Sequence, residues 1–491
     1  MTEEYENEHK EEDYDSFEED ARIVRQALPY VIREFERSAV EVSHRNGIPA
    51  SICYYTLLGQ ICKDFIRIPS GRNIEDSRVH FCWVQTSGTG KSTLWNFVGE
   101  VAKETFRLIN EQNQHPPFID DNGTPMTRTF DVFGVTDYTD SVLIGKYVKE
   151  VDEDGEVTWP RRAGILEGSG LAHWDEFEYS GVFKTSQHKE QSIVYLNTLM
   201  NSLAGQSWII SKALDSMDGQ TMECYCERSV LAMTYPPNNL NNVMAEKGVL
   251  QRMLLYVWEV PQYIQDEMRI EQLDKAGTIE EVNEPIGQFA QSLHTIYNLV
   301  RERYEETGKD PLRTITYSED FRQALKLEYT KMNLYLQNTR PDVAKICSNF
   351  TTRLMKILMK MSVLSAVASA PSITNKEDRF VVTGVHVGQA AVIIQKCYKT
   401  LVMWLEQSLK AKRATITENS LEPQFKSTYN KIQKDNEGYV NKTTYLTEVR
   451  KKAKKSRAQI YRHYQIIRHK FHEMKEGRST YIKLIVRGDE E

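Results

Sequence analysis

The 491-residue chain predicts a layered α/β fold, followed by a mostly helical region and a small basic unit. Three observations predict this. The apolar run Val79 to Val84 passes through Gln85-Thr86-Ser87-Gly88-Thr89-Gly90-Lys91-Ser92-Thr93-Leu94 into the helix-like segment Leu94 to Phe106. From Val79 to about Pro261, short apolar runs alternate with helices and loops, the pattern of an α/β layer. Residues 284–410 then read as helical, and residues 415–491 close with three helical segments and a hairpin.

In chain order, residues 1–20 hold eleven Asp/Glu and one Lys and read as an acidic disordered tail. Residues 21–78 form a helical N-terminal segment. Ala21 to Ala39 and Ile48 to Phe65 show helical spacing, broken around Asn46-Gly47 and again at Pro69-Ser70-Gly71, and are expected to pack as a small lead-in. Residues 79–265 are the α/β core, and the helical region breaks at Pro371-Ser372. The net charge of −7 hides an asymmetry: from Lys410 onward, twenty Lys/Arg face ten acids. Such a terminal unit points to a polyanion partner.

Seven cysteines without a CxxC pair read as reduced thiols. Cys224 and Cys226 suit same-face positions on a strand. The most apolar helix, Leu354 to Ala370, is interrupted by Lys356 and Lys360 and is expected to be too short for a bilayer. With no opening signal peptide, the expectation is a soluble, cytoplasmic protein without a membrane partner.

Strand, glycine-bearing loop, Lys-Ser and helix make a triphosphate cradle. Backbone N–H groups of Gly88, Thr89, Gly90 and Thr93 would face phosphate, Lys91 neutralises the β/γ oxygens, and the Ser92 hydroxyl ligates Mg²⁺. Gln85 stands where such loops usually carry their first glycine. Gly170 to Glu178 ends an apolar run in acids: Asp175 would organise the metal and Glu176 would polarise water, or the pair caps a helix. Thr234, ending the strand from Ser229, can sense γ-phosphate or be satisfied by backbone. Arg252, ahead of another apolar strand, is either a surface charge or a guanidinium lent to a neighbouring subunit's nucleotide.

Taken in order, these segments resemble the AAA+ core of the minichromosome maintenance family of replicative DNA helicases, from roughly Val79 to Gln407. Gly170 to Glu178 resembles its Walker B segment, Ser141 to Arg161 its helix-2 insertion hairpin, and Leu203 to Ala213 its approach to the pre-sensor-1 hairpin. The resemblance implies that Lys212 contacts DNA in a ring channel, that Arg252 is the arginine finger, and that Arg353 in Thr352-Arg353-Leu354 is a sensor-2 group on γ-phosphate. Tyr235 stands where the family has its sensor asparagine, and nothing before residue 79 resembles the family's N-terminal domain. A reduced, core-only, virus- or plasmid-encoded version is implied.

In residues 415–491, helices Pro423 to Lys434, Thr444 to Ala453 and Arg457 to about Phe471, with a hairpin turning at Glu476-Gly477 and a last strand Tyr481 to Val486, describe a winged helix. Lys454, Lys455, Arg457, Arg462, Arg468 and Arg478 are candidates for DNA-backbone contact; the alternative is a solvated protein-docking face. The expected whole is an AAA+ P-loop NTPase core (αβα, parallel sheet) with helical lid and C-terminal winged-helix domain. It would hydrolyse ATP with Mg²⁺ as a homo-hexameric ring that translocates on single-stranded DNA and opens duplex DNA, with replication-initiation partners. Two alternatives stay open: an AAA+ remodelling or transcription-activating ATPase, and a non-catalytic ATP-gated DNA-binding protein.

Overall fold

In the computed structural model the described residues are 22–113, 248–274 and 283–418, with shorter stretches of 118–236 and 422–484. The chain divides into two compact units, Met1–Leu405 and Glu406–Glu491.

The first unit opens with α1 (Tyr30–Val42), which follows Pro29 and buries Ile32, Phe35 and Ala39 on one face. Next, α2 (Gly47–Ile61) is buried at every one of its 15 positions. Here the expectation of a small lead-in is corrected, because α2 is a central core helix. Tyr55 Oη lies 2.7 Å from Ser365 Oγ, Gln60 Nε2 donates to the Glu227 carbonyl at 3.0 Å, and the buried Lys63 ammonium meets the Glu227 carboxylate at 2.6 Å. The break at Pro69-Ser70-Gly71 marks a hairpin of β1 (Arg67–Ser70) and β2 (Asn73–Asp76), turning at Gly71-Arg72 with Gly71 at φ 65°.

The sheet starts at β3 (Phe81–Gln85) and leads into α3 (Lys91–Gln112). It continues through β4 (Phe130–Val135) and β5 (Gly168–Trp174), then α4 (Ser192–Leu199), β6 (Ile209–Ala213), β7 (Thr221–Thr234) and β8 (Leu254–Trp258). The order β8-β3-β7-β5-β4 is parallel throughout, and β6 adds antiparallel to β7. Cys224 and Cys226 fall on one buried face of β7, their sulfurs 3.4 Å apart. Between β4 and β5, Asp140–Ile144 is helical, and Gly145–Tyr147 pairs with Arg161–Ala163 as Glu150–Val151 does with Val157–Thr158. Two short antiparallel strand pairs therefore lie between β4 and β5.

Helices α5 (Gln262–Asp274), α6 (Asn283–Glu306), α7 (Glu319–Gln337), α8 (Pro341–Ser369) and α9 (Gly384–Glu418) follow. Pro341 occupies the first turn of α8, whose 29 residues exceed the expected span. By length and composition this helix could cross a membrane, which corrects the expectation that it is too short. Of its apolar window, however, 72% is buried within the fold.

The second unit has α10 (Glu422–Lys431), β9 (Val440–Asn441), α11 (Lys442–Ala453), helical residues at 457, 460, 461 and 464, and strands β10 (Phe471–Glu476) and β11 (Ser479–Leu484), ordered β9-β11-β10. Phe471 opens a strand and does not end the third helix as expected. Its ring joins the same core from the sheet side, packing against Tyr429, Tyr445 and Tyr464.

Candidate functional site

All five residues of β3 are buried, so the strand end delivers the glycine-bearing loop to the sheet's C-terminal rim. Gly88 and Gly90 sit at φ 74° and 77°, a region L side chains rarely enter. A Cβ at Gly90 would also lie 2.5 Å from Ser43 Oγ. Gly88, Gly90, Lys91, Ser92 and Thr93 line a cleft of about 430 Å³, joined by Asp175, Glu176 and Thr234 from the ends of β5 and β7.

Lys91 starts α3, and its ammonium donates to the carbonyls of Gln85 and Thr86 at 2.7 and 2.9 Å. Burial pulls Lys91 down to about 8, against the opposing charges of Asp175 and Glu178. Asp175 accepts the Glu176 N–H at 3.0 Å, while Glu176 stands exposed with φ 51° and ψ 47°. Thr89 is the exception among the expected cradle residues. Its buried hydroxyl donates to the Thr86 carbonyl at 2.7 Å and accepts from Gln85 at 2.8 Å, so its side chain stabilises the loop and does not line the cleft.

Gln85 is fully buried. Its side chain accepts from Trp83 Nε1 at 2.6 Å and donates to Asn46 Oδ1 at 3.0 Å. Asn46 in turn donates to the Thr89 carbonyl at 2.9 Å, and Ser43 to the Gly90 carbonyl at 2.9 Å. The α1–α2 turn thus buttresses the loop and is held to α5, where Arg45 pairs with Glu267 at 2.8 Å and His44 Nδ1 lies 2.8 Å from the Glu271 carboxylate.

Four cleft residues were not among the expected site residues: Ser87, Glu178, Tyr235 and Gln272. Glu178 is buried and accepts the Thr234 hydroxyl, which fixes that strand-end group beside the loop. Its position three residues past Asp175 in an acidic run was the available signal. Gln272 comes from α5, and no sequence motif marks it. Behind the rim, the buried His173 ring stacks on Trp95, centroids 3.8 Å apart and 9° from parallel. The stack joins α3 to β5, and burial pushes the imidazole down to about 3.

Arg252 and Arg353 are elsewhere. Arg252 precedes β8, whose first residue Leu254 pairs with Phe81 at the start of β3, so it lies at the N-terminal rim. Five strand residues separate the rims by about 15 Å. Arg252 Nη1 donates to Asn197 Oδ1 at 2.8 Å and to the Gly248 carbonyl at 2.9 Å. Arg353, on α8, shares a basin with it. Lys212 lies on β6 opposite Met222. Lys454, Lys455, Arg462 and Arg478 lie outside the described residues. Arg457 is exposed over the Tyr461 ring, whereas Arg468 is held by Glu473 at 2.6 and 3.0 Å.

Comparison of the chain with models of known protein families, and with curated proteins, gives no match. The site is therefore read from its own chemistry. Ser92 and Asp175 offer hard oxygen donors at one cleft, a set that fits Mg²⁺, beside a lysine and a helix N-terminus that fit phosphate.

Proposed function

We propose that this chain is an AAA+ ATPase of the minichromosome maintenance type, working as a hexameric ring that moves on single-stranded DNA and separates duplex DNA inside the cell. The observation that carries the ATPase reading is the cleft. Lys91, Ser92, Asp175, Glu176 and the Thr234–Glu178 pair arrive from three separate segments and line one space. Strand order supports it too: counted along the chain from β3, the parallel sheet runs fifth, first, fourth, third, second.

In this reading Lys91 leaves the loop carbonyls for the β/γ oxygens, and loop N–H groups hold the remaining phosphate charge. Ser92 and Asp175 would hold Mg²⁺, which supplies charge neutralisation on the phosphates. Glu176, exposed at the rim, orients water and takes its proton. Arg252 stands at the opposite rim of the sheet, about 15 Å from the chain's own cleft, and Arg353 shares its basin, so in this reading both serve the nucleotide of an adjoining chain. The insertion hairpin and the β6–β7 hairpin bearing Lys212 are the channel elements. The second unit, read as a winged helix, tethers DNA through phosphate contacts.

The test is opening of a forked DNA with ATP, using 3′- and 5′-tailed substrates. Glu176→Gln should bind ATP and lose roughly a hundredfold or more in turnover. Lys212→Ala should hydrolyse ATP without stimulation by single-stranded DNA. If stimulation persists in Lys212→Ala, or DNA never stimulates, the remodelling alternative replaces the helicase reading.

A further inference from the structure

The basin shared by Arg252 and Arg353 also holds a lysine under restraint. Lys356 follows Arg353 by three residues on α8, so the two side chains leave neighbouring positions on one helix face. With Gln251 and Arg252 they line a basin of about 40 Å³. That volume admits roughly three water-sized spheres, enough for one phosphoryl group and too small for a sugar or base.

The charges in the basin do not balance. Arg353 has no hydrogen-bond or ion-pair partner among the described residues, and Arg252 Nε is buried without one. Burial, then the charge of Arg353, lowers the proton affinity of the Arg252 guanidinium. Asp76, the buried acid next in sequence to Glu75, is committed to Arg78 at 3.0 Å and to the Leu203 N–H at 2.9 Å. Only Glu75 among the basin's lining residues is a carboxylate, against Arg78, Arg252, Arg353, Lys356 and Lys360, and of these Arg78 is the one matched by Asp76. One Glu75 oxygen accepts the Lys356 ammonium, and the other lies 3.7 Å from Lys360.

We propose that Lys356 is a third phosphate-directed cation of this basin, and that Glu75 is the internal counter-anion holding it until a phosphoryl group of the adjoining chain's nucleotide replaces that carboxylate. The inference rests on the reading that Arg252 and Arg353 serve an adjoining chain. The flexible lysine stem can exchange one oxygen partner for another without moving the helix.

Mixed full-length chains test it. Lys91→Ala keeps the basin and loses its own cleft, while Lys356→Ala keeps the cleft and loses the third cation. Each alone should turn over ATP roughly tenfold or more below the unsubstituted chain. Mixed, they should exceed the mean of the two severalfold, since some boundaries pair an intact cleft with an intact basin. Lys91→Ala mixed with Arg252→Ala tests the underlying reading separately. Recovery there, but not with Lys356→Ala, overturns the inference alone; recovery in neither overturns both. Lys356→Arg should retain most turnover, and Lys356→Met substitutes if the alanine variant fails to fold. Glu75→Gln should lower half-saturating ATP by about threefold, the scale of a partly exposed ion pair. If Glu75→Gln instead loses turnover as Lys356→Ala does, the restraining role is wrong.

Discussion

The Gln85 amide nitrogen sits 3.0 Å from Asn46 Oδ1, tying the glycine-bearing loop to the start of a helix that lies 39 residues earlier. A glycine at position 85 would leave the Trp83 indole N–H, Asn46 and Thr89 short of partners in a buried place. Gln85→Gly should therefore destabilise the first unit by about 3 kcal/mol in denaturant titration. Asn46→Ala should cost less, and the double variant less than the sum, because both remove the same bond.

Lys91 gives a pH signature. Its ammonium titrates near 8 in the folded chain instead of near 10.5, because burial disfavours the charge. Below pH 8 it is charged and ready for phosphate. Above pH 8 nucleotide binding must first take up a proton, so affinity should fall by up to about tenfold per pH unit. Fluorescent-nucleotide titrations at pH 7, 8 and 9 check this, and Lys91→Arg should flatten the dependence.

Thr234 and Glu178 act as a pair. Thr234→Val preserves shape and removes the hydroxyl donated to the buried carboxylate. Turnover should fall roughly tenfold, the scale of an outer-shell partner, with ATP affinity little changed. An equal loss in binding would show that Thr234 only holds the strand end together.

In the second unit, Glu473 binds Lys442, Tyr464 and Arg468 at once. Burial raises its proton affinity, but these three bonds prevail and hold the carboxyl down to about 2. Its folded value lies below the ordinary one, so its stabilisation is complete above about pH 4.5 and is lost as pH falls towards 2. Acid unfolding followed by tyrosine fluorescence should show this loss, and Glu473→Gln should lack it. Arg468→Ala should for the same reason weaken the fold and leave the salt dependence of DNA binding alone. Arg457→Ala, by contrast, should reduce that slope by about one.

Much of the cleft was legible because its groups sit at the ends of strongly apolar strands, where β3, β5 and β7 leave the core within one or two residues of Gln85, Asp175 and Thr234. Local pattern carries that information. It does not carry Asn46 against Gln85, Gln272 at the cleft or the inward turn of Thr89, which depend on elements brought together only by folding. The burial of α2 was likewise hidden: a helix apolar on every side reads as any helix until its surroundings are known. Phe471, expected near the end of the third helix, opens β10 instead, with its ring in the core.

Glu176 carries a further consequence. Its left-handed backbone costs a side-chain-bearing residue about 1 kcal/mol, and glycine would adopt it freely. Glu176→Gly should therefore melt no earlier than the natural chain, and somewhat later, while hydrolysing nothing. Under the role proposed for Glu176, backbone ease and water activation make opposite demands on this position.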